Sequence, residues 1–259
     1  MLNEIVMAKR EEVDAAKSRL PFEELKSRTA NRLAERDFGR ALAVPGKLSL
    51  IAELKRKSPS RGMLRERFDP VSLAQTMQQA GAAALSVLTD EPYFGGSLDF
   101  LRDAKQFTEI PALRKDFLID PYQVYESALY EADAILLIVR ILTEETLADC
   151  MQVADRLGLE PLVEVHSEEE LDTALRAGAH VLGINHRDLD TFTMDPTLSE
   201  RLIPRIPAGK VIVAESGIQS CADVKRMRQL GVHAVLIGEA LMTAPSPSAK
   251  IGELFAGTW

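Results

Sequence analysis

Eight short apolar runs recur along the chain, at residues 48–54, 84–88, 112–114, 134–138, 162–165, 181–184, 211–214 and 235–237. Each leads into charged, polar or glycine residues, and successive ends lie roughly 19 to 34 residues apart. That spacing leaves room for a helix between neighbouring runs, which parallel strands need for their crossovers. The intervening segments carry helix punctuation. Asp69 precedes Pro70 as a cap followed by proline at the first helical position, and Gly81 closes that helix. Ser167 and Glu170 have the spacing of a capping box whose helix stops at Gly178. Thr143 and Ser220 cap helices that end before Gly158 and Gly231.

Eight such units within about 210 residues suit a closed barrel better than an open sheet, although a doubly wound sheet would produce similar runs. The fold class expected is therefore α/β, a (β/α)8 TIM barrel with an N-terminal helical extension. A length of 259 residues fits, since such barrels typically need about 250. Residues 1–46 precede the first strand. Leu2, Ile5, Val6 and Val13 predict one amphipathic helix there, and Pro21, Phe22 and Leu25 a second. The expected organisation is one barrel domain over 1–259, with 1–46 packed on it.

Composition removes several function classes. A net charge of −8 speaks against non-specific nucleic-acid binding. No apolar stretch approaches the roughly 20 residues of a membrane-spanning helix, and the N-terminus shows no secretory signal. Cys150 and Cys221 both fall in predicted helices, as expected of ordinary thiols in a reducing, cytoplasmic protein. The four histidines, at 166, 180, 186 and 233, have no metal-site spacing; Glu164 with His166 on one strand face is the best metal case, and no metal is assigned. No glycine fingerprint for a dinucleotide is present.

The chemistry-bearing residues gather at the carboxyl ends of the runs. Glu53 and Lys55 alternate onto one face at the first, and Ser58, Ser60 and Arg61 follow in a long loop. The third run leads into Arg114, Lys115, Asp116 and Phe117, and the fifth ends in Glu164 and His166. The sixth leads into Asn185, His186 and Arg187, the seventh into Glu215, Ser216 and Gly217, the eighth into Gly238 and Glu239. Any one of these could be a solvated strand end, and Glu53 with Lys55 could simply be an ion pair sealing the barrel. In a barrel they converge on one mouth, where active sites of this fold sit. Gly217 and Gly238 would expose backbone N–H groups to an anion such as phosphate, or would serve tight turns. Glu239 beside that anion is unfavourable unless its side chain turns away.

Five segments resemble the indole-3-glycerol phosphate synthase family: residues 51–62 (IAELKRKSPSRG), 85–90 with 93–97, 114–117 (RKDF), 183–189 (GINHRDL) and 213–218 (VAESGI). Helical residues 4–21 also resemble the family's N-terminal extension. The resemblance implies a step of tryptophan biosynthesis, the ring closure of 1-(2-carboxyphenylamino)-1-deoxyribulose 5-phosphate with loss of carbon dioxide and water, without a cofactor. Lys115 would be the general acid at the ketone oxygen, its pKa lowered by crowding from Lys55 and by burial. Glu164 would serve acid/base catalysis of dehydration, while Glu53 would orient the lysines and assist proton transfer. Lys55 would contact the substrate's anionic groups, and Asn185 and Arg187 would position it, Arg187 through the anthranilate carboxylate. Glu215 and Ser216 would complete a polar floor. Gly217, Gly238 and the Ser58 region would hold phosphate, and Phe94, Phe117 and Leu136 would line the aromatic pocket.

The partners implied are this sugar-phosphate substrate and other enzymes of the tryptophan pathway, with no nucleic acid and no membrane. The isomerase of the preceding step is expected on a separate protein. Two departures from the family's habit stand out: Glu131 replaces a usual glycine at a helix end, and His186 replaces a common asparagine, with its orientation open. Two rival readings remain at this stage. One is a Schiff-base aldolase with Lys55 or Lys115 as nucleophile. The other is a non-catalytic sugar-phosphate-binding or interaction protein.

Overall fold

The computed structural model describes residues 1–32 and 34–258. Eight parallel strands close into a barrel: β1 (Ser49–Leu54), β2 (Ala84–Leu88), β3 (Ala112–Lys115), β4 (Ala134–Ile138), β5 (Glu160–Val165), β6 (Val181–Asn185), β7 (Val211–Glu215) and β8 (Ala234–Ile237). Closure is made by β1 pairing with β8, Ser49 opposite Ala234 and Ile51 opposite Leu236. Each strand continues into a crossover helix that packs outside the sheet, which excludes the doubly wound alternative.

Side-chain alternation splits the core into two layers. Ile51, Leu113, Leu136, Leu162, Val181, Val213 and Leu236 point inward and fill the barrel. Their neighbours Leu50, Ala52, Ile135, Val163, Leu182 and Val235 point outward against the helices. The same alternation carries Glu53, Lys115, Glu164, Asn185 and Glu215 inward at the top of their strands. Arg114 therefore points outward, toward helix Pro121–Leu129, where it donates to the Gln123 carbonyl at 3.1 Å.

Strand five begins earlier than expected, at Glu160, and holds Pro161 opposite Ile135 of β4. Proline demotes a strand signal because it cannot donate to a ladder, and here it is tolerated near the strand's start. The expected long loop after β1 contains a small antiparallel ribbon, Lys57–Ser58 with Gly62–Met63. The Ser167 cap accepts from Glu170 N, but the reciprocal half of that expected box is missing: Glu170 Oε2 accepts from His166 N at 2.7 Å instead. The complete box is at Ser220, whose Oγ and backbone N–H both engage Asp223. Glu131 takes a left-handed backbone, φ 68°, at the end of helix Pro121–Leu129. That conformation is where glycine would be free of strain.

Before the barrel come helices Leu2–Arg19, Phe22–Thr29 and Phe38–Leu42. Leu2, Ile5, Val13 and Ala16 of the first are buried at helical spacing. The third closes the amino-terminal end of the barrel: Ser49 Oγ donates to the Leu42 carbonyl at 2.8 Å, and Glu160 accepts from Gly39 N. Among the described residues, no helix is long and apolar enough to cross a membrane.

Candidate active site

The strand tops surround a cavity that opens to solvent. Its floor is polar: Glu53, Lys55, Lys115, Glu164, Asn185, Glu215 and Ser216. Phe94, Phe117 and Leu136 form an apolar wall, with the two rings 6.0 Å apart and inclined at 38°. Ser58, Arg187, Gly217 and Gly238 stand nearer the mouth. The cavity thus brings together every residue to which the family resemblance assigns a role, while Arg114, His166 and His186 do not line it.

Two ammonium groups and three carboxyls share the floor. Lys55 Nζ lies 2.6 Å from Glu53 Oε2, and Lys115 Nζ lies 3.2 Å from Glu164 Oε2 and 3.6 Å from Glu215 Oε2. Two glycines make this crowding feasible. A Cβ on Gly183 would overlap Glu215 Oε1, and one on Gly238 would overlap Glu53 Oε2. The bare face of Gly238 therefore receives the Glu53 carboxylate, which corrects the expectation that its missing side chain makes room for phosphate. Its φ of −118° also shows that no left-handed turn requires glycine there.

The electrostatics reverse another expectation. Burial pushes the Lys115 ammonium toward a lower pKa, but Glu164, Glu215 and Glu53 more than compensate and hold it above the ordinary lysine value. Lys55 cannot crowd it downward, because its own charge is taken up by Glu53. Burial likewise pushes Glu164 up, and Lys115, then His166 and Asn185, pull it below the usual carboxylate range. Glu215 goes the other way: burial and then the Glu164 charge raise it well above that range, against the opposing pull of Lys115. Glu164 therefore gives up its proton more readily than Glu215, an ordering that suits the first to act as base and the second as acid. Two buried carboxyls with divergent environments are how such sites separate the two roles.

His186 is turned away from the cavity. Its Nδ1–H donates to the Ser216 carbonyl at 3.2 Å and its Nε2 accepts from Ser199 Oγ at 2.7 Å, while burial lowers its pKa and keeps it neutral. This bond supports a strained turn, because Ser216 (φ 67°) and Gly217 (φ 76°) are both left-handed. Glu239 does line the cavity. It lies 3.0 Å from Arg61 and 3.8 Å from Arg187, so the arginines take up its charge. Asn185 Oδ1 accepts from Arg187 N at 3.0 Å and fixes the start of that loop. Glu164 and His166 do share a face, with Nε2 3.3 Å from Oε1. Among the described residues, no group of three or more His, Cys, Asp or Glu side chains is placed to hold a metal.

Sequence reasoning missed the support beneath the aromatic wall. Lys9, 1% exposed, projects from the N-terminal helix to within 3.1 Å of Asp90 Oδ2 and 2.9 Å of Asp116 Oδ1. Asp90 Oδ1 accepts from Phe94 N at 3.2 Å and Asp116 Oδ1 from Phe117 N at 2.8 Å, so one ammonium anchors the backbone of both rings. Lys9 falls on the helix's own buried stripe, the one available signal. Phe192 and Leu189 also line the cavity; Phe192 reaches it from a left-handed backbone, φ 58°, that no local pattern foretells.

A family model of indole-3-glycerol phosphate synthase matches residues 2–254. A relative of that name from Syntrophobacter fumaroxidans is 45% identical over 256 residues, spanning 98% of this chain and 97% of the relative. Another, from Caldanaerobacter subterraneus subsp. tengcongensis, is 48% identical over 242 residues, 93% of each chain. Among solved structures, a 3-hexulose-6-phosphate synthase aligns with a TM-score of 0.66 at 16% identity, covering 82% of this chain and 100% of that one, a likeness of fold alone. With a closed eight-stranded barrel, its polar floor and relatives matched along almost the full length, this chain belongs to the indole-3-glycerol phosphate synthase family, the carboxy-lyases of tryptophan biosynthesis.

Proposed function

We propose that the protein converts 1-(2-carboxyphenylamino)-1-deoxyribulose 5-phosphate into indole-3-glycerol phosphate, carbon dioxide and water. The observation that carries this reading is the opposed pair Glu164 and Glu215 around Lys115, facing an aromatic wall across one cavity. The anthranilate ring lies between Phe94, Phe117 and Leu136. Its carboxylate meets Arg187, with Lys55 toward the substrate's anionic groups. The phosphate occupies the mouth near Ser58 and the backbone of Gly217 and Gly238. Ser58 supports this placement, since its Oγ is buried without a hydrogen-bond partner among the described residues.

Ring closure breaks aromaticity as the ring carbon bearing the carboxylate attacks the ketone. Negative charge develops on the ketone oxygen, and a proton from Lys115 lowers the barrier there. An ammonium with a raised pKa is a weaker acid in isolation. It gains drive as the alkoxide forms, while Glu53 and Glu164 keep it oriented. Loss of carbon dioxide then restores the aromatic ring. In the final step Glu164 removes a C–H proton and Glu215, in its acid form, protonates the departing hydroxyl. Asn185 and Ser216 hold the substrate's polar groups. Each step is a proton transfer or a bond shift within the substrate, so no cofactor is assigned.

A Schiff-base aldolase needs a neutral amine. Lys115, held in its ammonium form by the carboxyl groups around it, with Glu164 foremost, is poorly suited to it. The test is incubation with the carboxyphenylamino-deoxyribulose phosphate while following indole fluorescence. A rise with release of carbon dioxide is expected; folded protein that leaves saturating substrate unchanged would overturn the reading.

A further inference from the structure

We propose that His166 is the positioning residue of Glu164 and shares its proton, forming with Glu170 a second layer of acid/base machinery behind the cavity floor. This rests on the ring-closure reading and deepens it. His166 sits two residues beyond Glu164, on the same strand face, with its side chain 2% exposed. Its Nδ1–H donates to Glu170 Oε2 at 3.2 Å. Glu170 is itself fixed, accepting from His166 N at 2.7 Å and from Arg140 Nε at 2.8 Å, and Arg140 also pairs with Asp188 at 2.7 Å.

With the proton on Nδ1, the imidazole turns its Nε2 lone pair toward Glu164 Oε1, 3.3 Å away. Both atoms are buried, and neither has a hydrogen-bond partner among the described residues. Buried polar atoms left in this state require an explanation. One proton between them satisfies both. When Glu164 has taken a C–H proton from substrate, its Oε1–H bond breaks, an Nε2–H bond forms, and Glu164 is an ionised base again. The imidazolium so formed lies between two carboxylates, and Glu170 stabilises it from behind as the aspartate of a catalytic triad stabilises its imidazolium. The same proton returns through Glu164 to Glu215 after Glu215 has given its own to the hydroxyl, and the proton that Lys115 gave to the ketone oxygen is replaced from solvent, as the loss of a carboxylate as carbon dioxide requires.

The charged and polar groups around this unit are few. Glu164 faces His166 from its own strand, Glu170 from helix Glu168–Arg176, Arg140 from the turn after β4 and Asp188 from the loop after β6. Lys115 and Asn185 meet Glu164 from β3 and β6. In its imidazolium form the ring's charge adds to that of Lys115 in holding Glu164 below the usual carboxylate range, against the opposing push of burial.

The test compares His166→Gln, His166→Leu and Glu170→Gln with wild type across pH. Glutamine keeps the hydrogen-bonding shape and cannot carry the proton. His166→Gln should keep KM within about twofold, lose about tenfold or more in kcat, and move the acid limb of the kcat profile to higher pH. His166→Leu should lose more. Glu170→Gln should move the same limb with a smaller loss, and it serves if His166→Leu fails to fold by circular dichroism. Unchanged kcat and acid limb in His166→Gln and Glu170→Gln would overturn the proposal, as would a lower kcat with an unmoved pH profile. If wild type does not close the ring, the functional reading fails and this proposal with it. If wild type turns over and the variants match it, only the role of His166 fails.

Discussion

Lys9 Nζ lies 2.9 Å from Asp116 Oδ1, a buried contact joining the N-terminal helix to the residue after Lys115. Burial pushes Asp116 up, and Arg114 and then Lys9 pull it well below the ordinary aspartate value; Lys9 is raised despite its own burial. Lys9→Met would leave Asp90 and Asp116 buried with less compensation and should cost about 3–5 kcal/mol in urea unfolding. The sign with pH follows from linkage. The Asp116 contribution is present above its unfolded pKa of about 3.9 and is lost as pH falls through its lower folded value. The Lys9 contribution is present below about 10.4 and is lost as pH rises through its higher folded value. The gap between wild type and variant should therefore be widest between about pH 5 and 9. Equal midpoints at pH 7 would show that the contact stabilises nothing.

Lys115→Ala should lower kcat by roughly two to four decades while circular dichroism stays unchanged. Lys115 is the cation that Glu164 and Glu215 share, so no neighbour replaces it as proton donor. Turnover within a factor of a few of wild type would remove it from the mechanism.

In Glu164→Gln, hydrogen bonding persists and the base is gone. Ring closure and decarboxylation should proceed, and a species that still holds its hydroxyl should accumulate. Quenched-flow analysis showing an unchanged rate of water loss would assign the base elsewhere.

Gly238→Ala tests the approach of Glu53. The new Cβ meets Glu53 Oε2 and must displace the Glu53–Lys55 pair. A misplaced catalytic group costs on the order of 10²-fold, so kcat should fall by about that much while inhibition by inorganic phosphate changes little. Weaker phosphate inhibition with normal kcat would point instead to a steric role beside the anion.

Glu131→Gly should stabilise the protein. Glu131 holds φ 68°, a strain glycine does not feel, and its 3.6 Å contact with Arg32 is partly exposed and weak. A gain of about 1 kcal/mol, or roughly 2–4 °C in Tm, is expected. A lower Tm would mean that the Arg32 contact outweighs the strain.

The sequence by itself determined the eight parallel strands, because apolar runs at crossover spacing admit few other arrangements. It also determined which residues reach the cavity, since period-two alternation sends Glu53, Lys115, Glu164 and Glu215 to one face. Only the tertiary structure decided their charge states. Whether Lys115 titrates up or down depends on carboxyl groups from three other strands, and Glu164 parts from Glu215 because Lys115, His166 and Asn185 pull it down while burial and the Glu164 charge push Glu215 up. Gly238 reads as a turn or phosphate glycine until the Glu53 carboxylate lying over it is seen, and no local pattern marks Gly183 as the place where Glu215 lies. Lys9 shows the same limit, because a lysine on an apolar helix face takes its meaning from Asp90 and Asp116, far along the chain. Local pattern fixes where a side chain points; its energetics depend on the groups that long-range folding places beside it.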